Sequence, residues 1–249
     1  LCPVNYAEVA AESLRLWPTM DEELGYPTEF VSGSVTVALD EPTMDFLLKS
    51  KELLGRENIA TEMLDAKTIW EMAPIISQNV VGGLLSAEAG HANPQRMVQA
   101  LAWAFQDRGG RIYQHTSVTG FNVEGDRVDS VETTRGAIGA GFVVSAAGPQ
   151  TGLLAEQVNA FVPVAPARVE IVVTSPLPNM WPGAVLGNGL YGRQTLRGNL
   201  AYGGGPQEWV DVDLAAPEKP NTPLIRNISR RLAELYPGVL DVPLIRSWG

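Results

Sequence analysis

The 249 residues suffice for one large domain or two small ones, and 45% hydrophobic with 18% charged residues is typical of a globular protein. The net charge of −10 argues against a nucleic-acid surface or a patch for anionic membranes, since both need clustered Lys and Arg. The single cysteine, Cys2, excludes an internal disulfide framework, and only two histidines are present, which disfavours a His-rich metal centre.

No apolar run reaches membrane-spanning length and no signal peptide is recognised, so the expected compartment is the cytoplasm, with contact to a membrane only through a partner. The chain opens without Met on a helix-like stretch and closes on the apolar run "VPLIRSWG". These ends predict an internal piece of a longer protein; a processed mature chain is the alternative.

The first third of the chain predicts helices around a pair of strands. Apolar residues at helical spacing predict an amphipathic helix over 5–24. Residues 29–40 predict two strands around a Ser-Gly turn, the second with alternating apolar residues. Two helices follow: Pro42 stands in the first turn of one, where its missing N–H costs nothing, and Pro74 ends the other.

Residues 80–94 are apolar and glycine-rich, which predicts a strand that leads into a loop. The next segment has complete helix signals, with Asn93 as N-cap, Pro94 at the first helical position and Gly109 past the end. We therefore expect a well-defined helix here.

Residues 111–146 predict a strand, a short strand and then a hairpin or meander that turns at 124–126 and 135–136. The last strand, Gly141–Ala146, is nearly all apolar, as expected for a strand covered on both faces. Because it ends in small residues up to Gly148, we expect another group to approach its backbone closely.

The last third of the chain returns to long strands. Residues 162–176 predict one strand with prolines at its start, and a hairpin turns at 197–199. A helix ended by Pro237 and a final strand over 242–249 complete the prediction.

Five of these stretches, in this order, resemble the FAD-dependent amino acid and amine oxidoreductases, the group of D-amino acid oxidase, glycine oxidase and sarcosine oxidase. The stretches are "GHANPQRMVQALAWAFQDRGGRIYQHTSVTGF", "GDRVDSVETTRGAIGAGFVVSAAGPQT", "VPVAPARVEIVVTSP", "GLYGRQTLRGNLAYGGG" and "RSWG". The resemblance covers most of the chain and is weakest over residues 1–75.

The fold implied by this resemblance is an α/β (α+β) chain in which an incomplete, Rossmann-like FAD-binding domain is interleaved with an antiparallel-sheet substrate domain. The expected segments are 1–79 in the substrate domain with linking helices, 80–160 in the FAD-binding domain, 161–243 in the substrate domain and 244–249 back in the FAD-binding domain.

The cofactor implied by the resemblance is FAD. The residues that would contact it are Val118, Ala146, Ala147, Gly148, Trp248 and Gly249. The small residues have no side chain that would obstruct a dinucleotide. The alternatives are structural: a tight strand-to-helix turn at 146–148, and core positions for Val118 and Trp248.

One departure from the family bears on the cofactor. The family's Gly-x-Gly-x-x-Gly fingerprint, which follows its first strand, is absent. A pyrophosphate cradle needs glycines on a tight turn that feeds a helix N-terminus. We therefore expect this chain alone to hold FAD weakly and to be inactive by itself.

The substrate-side candidates are Tyr191, Arg193 and His91. Tyr191 matches the position from which family members direct a tyrosine towards substrate, and a half-buried sheet tyrosine is the alternative. Arg193 shares its strand face and could bind an acidic group, or be a solvated arginine. His91 stands in a glycine-flanked loop that lies near the flavin in the family. Arg168 would pair with a flavin-side carbonyl or, as we favour, brace the sheet.

The activity implied by the resemblance is oxidation of the C–N bond of an amino acid or secondary amine by hydride transfer to flavin, which gives an imine that hydrolyses. No catalytic side-chain base is predicted. Partners would be the amine and an electron acceptor or partner subunit, without nucleic acid. A non-catalytic subunit, or a flavin enzyme for a hydroxy acid or glycerol phosphate, are the alternatives.

Overall fold

The computed structural model describes residues 7–211 and 220–249. They form two compact units: the first comprises 7–109, 169–206 and 220–249, and the second comprises 110–168 and 207–211. No helix in these ranges is both long and apolar enough to cross a bilayer.

The helices are α1 (Ala7–Leu16), α2 (Met20–Leu24), α3 (Glu41–Arg56), α4 (Ala66–Met72), α5 (Pro94–Asp107), α6 (Thr151–Glu156) and α7 (Thr222–Leu235). The strands are β1 (Val31–Ala38), β2 (Glu62–Asp65), β3 (Gly82–His91), β4 (Val118–Glu124), β5 (Arg127–Thr133), β6 (Gly136–Gly139), β7 (Ala167–Arg168), β8 (Ile171–Pro176), β9 (Ala184–Leu186), β10 (Leu190–Gln194), β11 (Asn199–Gly204), β12 (Glu208–Trp209) and β13 (Leu244–Trp248).

The predicted helix signals are confirmed by the caps. The Asp40 carboxylate accepts from the backbone N–H of Thr43 at the start of α3, and Asn93 caps α5 in the same way through its side-chain oxygen. Both helices carry proline in their first turn. The first predicted helix begins outside the described residues, and from residue 7 it is interrupted by a 3₁₀ turn over Trp17–Thr19, where Pro18 has no N–H to donate.

One mixed sheet organises the first unit, in the order β13-β8-β11-β10-β9-β1-β3-β2. Its neighbours are antiparallel except β1 and β9, which are parallel. The predicted mixed α/β class is therefore confirmed. The final strand, β13, pairs with β8 within this sheet.

Helix α7 covers one face of β8, β10 and β11. Its apolar stripe and the inward-facing residues of these strands form the main core, which includes Val172, Leu190, Leu200, Tyr202, Ile228, Leu232 and Leu235. Because side chains alternate along a strand, the residues between these core positions lie on the opposite face. That face carries the candidate site described below.

The second unit contains the meander β4-β5-β6, the strand pair β7–β12 and helix α6. The predicted meander turns are confirmed: Gly125 and Gly136 take φ values of 60° and 108° there, a region that favours glycine.

Four strand predictions are corrected. Residues 29–40 contain one strand, β1, whose pairing with β3 shifts register at Gly33, instead of two strands. The strand expected from residue 111 is absent, since pairing starts only at Val118. Residues 162–176 divide into β7 and β8, which belong to different sheets.

The strand predicted at Gly141–Ala146 is the fourth correction. The segment forms no strand, and Phe142 and Val144 are 96% and 88% exposed. A strand exists through backbone hydrogen bonds to a neighbour, and none of the described strands pairs with this segment.

The predicted segment 80–160 is divided between the two units, because β3 and α5 belong to the first and β4–β6 to the second. The assignment of the segments to cofactor and substrate domains stays a prediction.

A buried tyrosine pair joins the sheet to the end of α7. The Tyr202 hydroxyl lies 2.9 Å from the Val185 carbonyl oxygen and 2.9 Å from the Tyr236 hydroxyl. Because a carbonyl only accepts, Tyr202 donates to Val185 and Tyr236 donates to Tyr202. Both side chains are about 1% exposed, so water does not replace a lost bond.

This order predicts unequal costs for two similar substitutions. Tyr236→Phe removes one donor and should cost about 1 kcal/mol of unfolding free energy, whereas Tyr202→Phe leaves the Tyr236 hydroxyl without an acceptor and should cost about 2–3 kcal/mol. Urea titration of both variants and the double variant measures the difference. Equal costs would contradict the assigned donor order.

Candidate functional site

The exposed face of the sheet opposite α7 forms a cleft with a volume of about 520 Å³. Strand β10 shows how it is built: Leu190 and Gln194 are buried towards the core, whereas Tyr191 and Arg193 line the cleft. The sequence prediction that Tyr191 and Arg193 share a strand face agrees with this arrangement.

The strand register aligns the cleft-lining residues of four strands in two rows. In the aromatic row, Trp248 of β13 lies opposite Ile171 of β8, which lies opposite Gly203 of β11, which lies opposite Tyr191 of β10. Two bulky rings therefore stand at the ends of a row whose middle is an aliphatic residue and a glycine.

A second row, the arginine row, lies two residues away from the aromatic row on each of the four strands. Arg246 lies opposite Val173, Val173 opposite Ala201, and Ala201 opposite Arg193. This row therefore has cationic ends and a small apolar centre.

Glycine avoids crowding in the aromatic row. A Cβ at position 203 would lie 3.1 Å from Ile171 Cγ1 and 3.2 Å from Tyr191 Cε2. The absence of a side chain keeps the floor of the cleft open between the two rings.

Gln194 fixes the hairpin that forms the rim. Its Oε1 accepts from the Met180 N–H at 2.7 Å, and its Nε2 donates to the carbonyls of Pro178 and Gly198 at 2.9 and 3.0 Å. The side chain is 8% exposed, so these bonds are shielded from water. Sequence analysis missed Gln194; its position one residue after Arg193, and hence on the buried face, was the available signal.

Glu29 is the acidic residue among the described residues that line the cleft. Its Oε2 accepts from Asn93 Nδ2 at 2.8 Å, and its Oε1 lies 3.5 Å from Arg96 Nε and 3.8 Å from Arg197 Nη2. Its backbone is left-handed, with φ 55°. The Glu29 carboxylate is therefore already engaged by three side chains.

Arg193 is half-buried and makes no ion pair or hydrogen bond to any residue in the described part of the chain. Burial lowers the pKa of its guanidinium, and the negative charge of Glu29 opposes that effect. A guanidinium nevertheless stays charged near neutral pH, so the cleft contains a positive charge that no described residue pairs with in an ion pair.

His91, at the end of β3, lines the cleft next to this charge. Its Nε2 lies 2.9 Å from the Pro182 carbonyl oxygen, so Nε2 carries the proton and Nδ1 has the free lone pair. Nδ1 is buried without a hydrogen-bond partner. Burial lowers the His91 pKa most, the Pro182 bond opposes this, and the charge of Arg193 lowers it further, so the ring is neutral at pH 7.

The remaining predicted residues lie in the following places. Gly249 follows β13, and a Cβ there would lie 2.8 Å from Glu170 Oε1. In the second unit, Val118 begins β4 opposite Thr133. Arg168 Nη1 lies 3.5 Å from Glu208 Oε2 across the β7–β12 pair, which supports its interpretation as a sheet brace.

The small residues at 146–148 are accessible. Ala146 and Gly148 are exposed, and Gly148 has φ 56° with open space where a Cβ would stand. The segment thus leaves room for a bound group, as expected for residues that approach a cofactor.

The spacing Gly-x-Gly-x-x-Gly does occur once, at 187–192, and sequence analysis missed it. These residues form the turn between β9 and β10, and no helix follows them. A pyrophosphate cradle requires helix N–H groups after the turn, so this stretch does not supply one.

Comparison with known proteins decides the family. A family model described as "FAD dependent oxidoreductase" matches residues 3–249. The chain belongs to this family. FAD is therefore its cofactor, and the open small-residue turn at Gly148 is compatible with it, while the described residues contain no Gly-x-Gly-x-x-Gly turn that leads into a helix.

Individual relatives are distant. The chain is 24% identical to sarcosine oxidase subunit beta of Rhodobacter capsulatus over 98% of its own length and 60% of that protein. It superposes on L-proline dehydrogenase from P. horikoshii with a TM-score of 0.85 and 22% identity, covering 97% of this chain and 65% of that one. It superposes on glycine oxidase from Geobacillus kaustophilus with a TM-score of 0.84 and 24% identity, covering 96% of this chain and 65% of that one.

These relatives have two consequences. The chain spans less than two thirds of the length of each of these three proteins, and the structural likeness at this identity shows the fold alone. The predicted fold class, family and cofactor are confirmed; the predicted roles of individual residues stay predictions.

The lowered His91 pKa predicts a pH-dependent loss of stability. The folded protein favours the neutral ring, so stability is complete above the unfolded pKa of about 6.5 and decreases as the pH falls below it towards the lower folded pKa. His91→Asn should remove this component in urea titrations between about pH 5 and 7.5.

The matched control is His115→Asn, which replaces an exposed histidine and leaves His91 in place. It should keep the pH dependence of the original protein. If the stability of His91→Asn shows the same pH dependence as the original protein, the folded protein does not hold the His91 ring neutral.

Replacing Gln194 by Glu tests the rim. A carboxylate there would point an oxygen at the carbonyls of Pro178 and Gly198, so Gln194→Glu should lower the unfolding free energy at pH 7 by about 2–3 kcal/mol. Protonation restores one donor, so part of the loss should be recovered at acid pH. Gln114→Glu, the same change at an exposed site, should be nearly neutral.

Proposed function

We propose that the protein containing this chain oxidises the carbon–nitrogen bond of an amino acid or secondary amine to an imine, which water then hydrolyses. The observation that carries the proposal is the cleft itself. Arg193, a half-buried arginine without an ion-pair partner among the described residues, lies two residues after the exposed Tyr191 on the same face of β10. Ala201 and Gly203 form the apolar floor beside them.

Arg193 is proposed to bind the substrate carboxylate. It makes no ion pair with any described residue, Glu29 acts on it only through its charge, and partial burial strengthens its attraction for an anion. Arginine is suited to this role because its planar fork matches a carboxylate. Position and charge therefore favour an acidic substrate over a neutral one.

Tyr191 and Trp248 are proposed to enclose the apolar part of the substrate, since they flank the floor at opposite ends of the aromatic row. The Tyr191 hydroxyl could donate to the same carboxylate as Arg193, two residues away on one face. His91 would contribute a neutral ring near the substrate amine, which agrees with its lowered pKa and its position in the cleft.

Bound FAD would accept the hydride from the carbon next to nitrogen. We propose that Val118, Ala146, Ala147, Gly148, Trp248 and Gly249 are the residues of this chain that contact it. The support is the family membership together with the accessible, unobstructed backbone at 146–148. The residues of this chain would orient the amine and exclude water from the site.

An electron acceptor or partner subunit is part of the proposal. The support is that the similar sarcosine oxidase chain is one subunit of its enzyme. The rate at which the reduced flavin is reoxidised, measured with oxygen alone and with an artificial electron-accepting dye, distinguishes the acceptors. Fast reoxidation by oxygen alone would identify oxygen as the acceptor.

The test is the visible absorbance of the FAD-loaded full-length protein during anaerobic addition of amino acids, N-methyl amino acids and 2-hydroxy acids. An amine with a carboxylate should bleach the flavin band, and a 2-hydroxy acid should not. Arg193→Gln should raise the amine concentration for half-maximal reduction by roughly tenfold to a hundredfold, because a charge-assisted bond is lost.

Arg226→Gln is the matched control, because this exposed arginine of α7 does not line the cleft. It should leave that concentration unchanged. A protein that takes up no FAD after reconstitution would favour the non-catalytic alternative, and bleaching by hydroxy acids alone would favour the other donor class.

A further inference from the structure

Glu170 is a fully buried acid to which the proposed function gives no role. It directly precedes β8, and its side chain is 0% exposed. Its Oε1 accepts from the backbone N–H of Asn221 at 2.6 Å, whereas its Oε2 is buried and is bonded by no described residue. Burying a carboxylate is costly unless its oxygens are bonded, so apolar packing does not explain an acid at this position.

The bonded oxygen joins Glu170 to the start of α7. Asn221 is the N-cap of this helix, and its Oδ1 accepts from the Leu224 N–H at 3.2 Å. The first N–H groups of a helix carry partial positive charge, which stabilises a carboxylate beside them. The bond from Asn221 therefore fixes the Glu170 carboxylate at the N-terminal end of α7.

The fixed carboxylate lies against the end of β13. A Cβ at Gly249 would lie 2.8 Å from Oε1, 3.0 Å from Cδ and 3.2 Å from Oε2 of Glu170. These distances are shorter than ordinary van der Waals contact, so a side chain at position 249 would displace either the carboxylate or the strand end. Glu170 is therefore the reason that position 249 requires glycine.

This contact bears on the cleft through Trp248. Trp248 lies opposite Ile171, the residue after Glu170, and lines the cleft. Because successive residues of a strand face opposite sides, Gly249 faces the Glu170 carboxylate while Trp248 faces the cleft. A shift of Gly249 away from the carboxylate would therefore move the Trp248 ring as well.

We propose that Glu170 is a positioning residue: its carboxylate supports Gly249 from the side of α7 and so holds Trp248 and Gly249 in the place from which they contact FAD. The inference rests on the proposed function, because it concerns two of the residues proposed to contact the cofactor. Glu170 acts only through Gly249, and the Asn221 bond keeps the support rigid.

The test is the dissociation constant of FAD, measured by titrating the full-length apoprotein without any amine. Gly249→Ala should raise this constant roughly tenfold, because the added methyl group pushes the end of β13 off the carboxylate. In a Glu170→Ala background the same change should alter the constant by less than about twofold, because the vacated space accepts the methyl group. A similar effect in both backgrounds, or none in either, would overturn the proposal.

A conservative variant tests whether the support depends on shape. Glu170→Gln keeps the length of the side chain and an acceptor for Asn221, so it should leave the FAD dissociation constant within about twofold of the original. Glu170→Ala removes the support and should raise the constant. If Glu170→Gln weakens FAD binding as much as Glu170→Ala does, the side chain does not act by supporting Gly249.

Two controls exclude a general loss of stability. Tyr236→Phe weakens the core at the other end of α7, so it should lower the urea midpoint and leave the FAD dissociation constant unchanged. Gly55→Ala is the same substitution where a Cβ meets open space, and it should change neither quantity. If Tyr236→Phe weakens FAD binding as much as Gly249→Ala does, destabilisation explains the effect and the proposal fails.

Flavin reduction by amines, measured separately, distinguishes this inference from the proposed function. A Glu170-dependent effect of Gly249→Ala on FAD binding, with no reduction by any amine, supports the role of Glu170 and overturns amine oxidation. Reduction by an amine, with the same effect of Gly249→Ala in both backgrounds, supports amine oxidation and overturns the role of Glu170. A full-length protein that binds no FAD overturns both.

Discussion

The register of four strands is the constraint on which the candidate site depends. Backbone hydrogen bonds hold β13, β8, β11 and β10 in register, and alternate residues of β8, β11 and β10 face α7 while the residues between them face the cleft. A slip of one residue on β10 would turn Tyr191 and Arg193 into the core and bring Gln194 to the surface. The apolar core under α7 opposes that slip, so the packing of one face fixes the chemistry of the other.

Polar groups on the buried face strengthen this constraint. Gln194 has its amide oxygen and nitrogen bonded to backbone of the segment 178–198, which ties the hairpin beyond Arg193 to the neighbouring loop. Tyr202 and Tyr236 connect the sheet to the end of α7 through donated bonds that have no competition from water. A displaced hairpin would leave several buried groups without partners, which is costly, so the rim of the cleft is held in place.

Charge is distributed unevenly around the cleft. Glu29 is held by an amide and two arginines, whereas the half-buried Arg193 makes no ion pair with a described residue. Folded proteins usually pair charges that are partly withdrawn from water. This local exception is the physical reason for assigning ligand binding to this face rather than to the opposite one, which is covered by α7.

The sequence by itself determined the capped helices α3 and α5, the family and the alternation of β10. Caps such as Asp40 and Asn93, with proline after them, are local signals that need no tertiary contact, and the structure confirms them. Period-two alternation likewise placed Tyr191 and Arg193 on one face. Tertiary structure alone decided which strands are neighbours: that Arg246 shares a row with Arg193 follows from pairing between segments far apart in sequence. It also decided that Gly141–Ala146 is no strand among the described residues, because apolar composition favours a strand but only a hydrogen-bonded neighbour makes one.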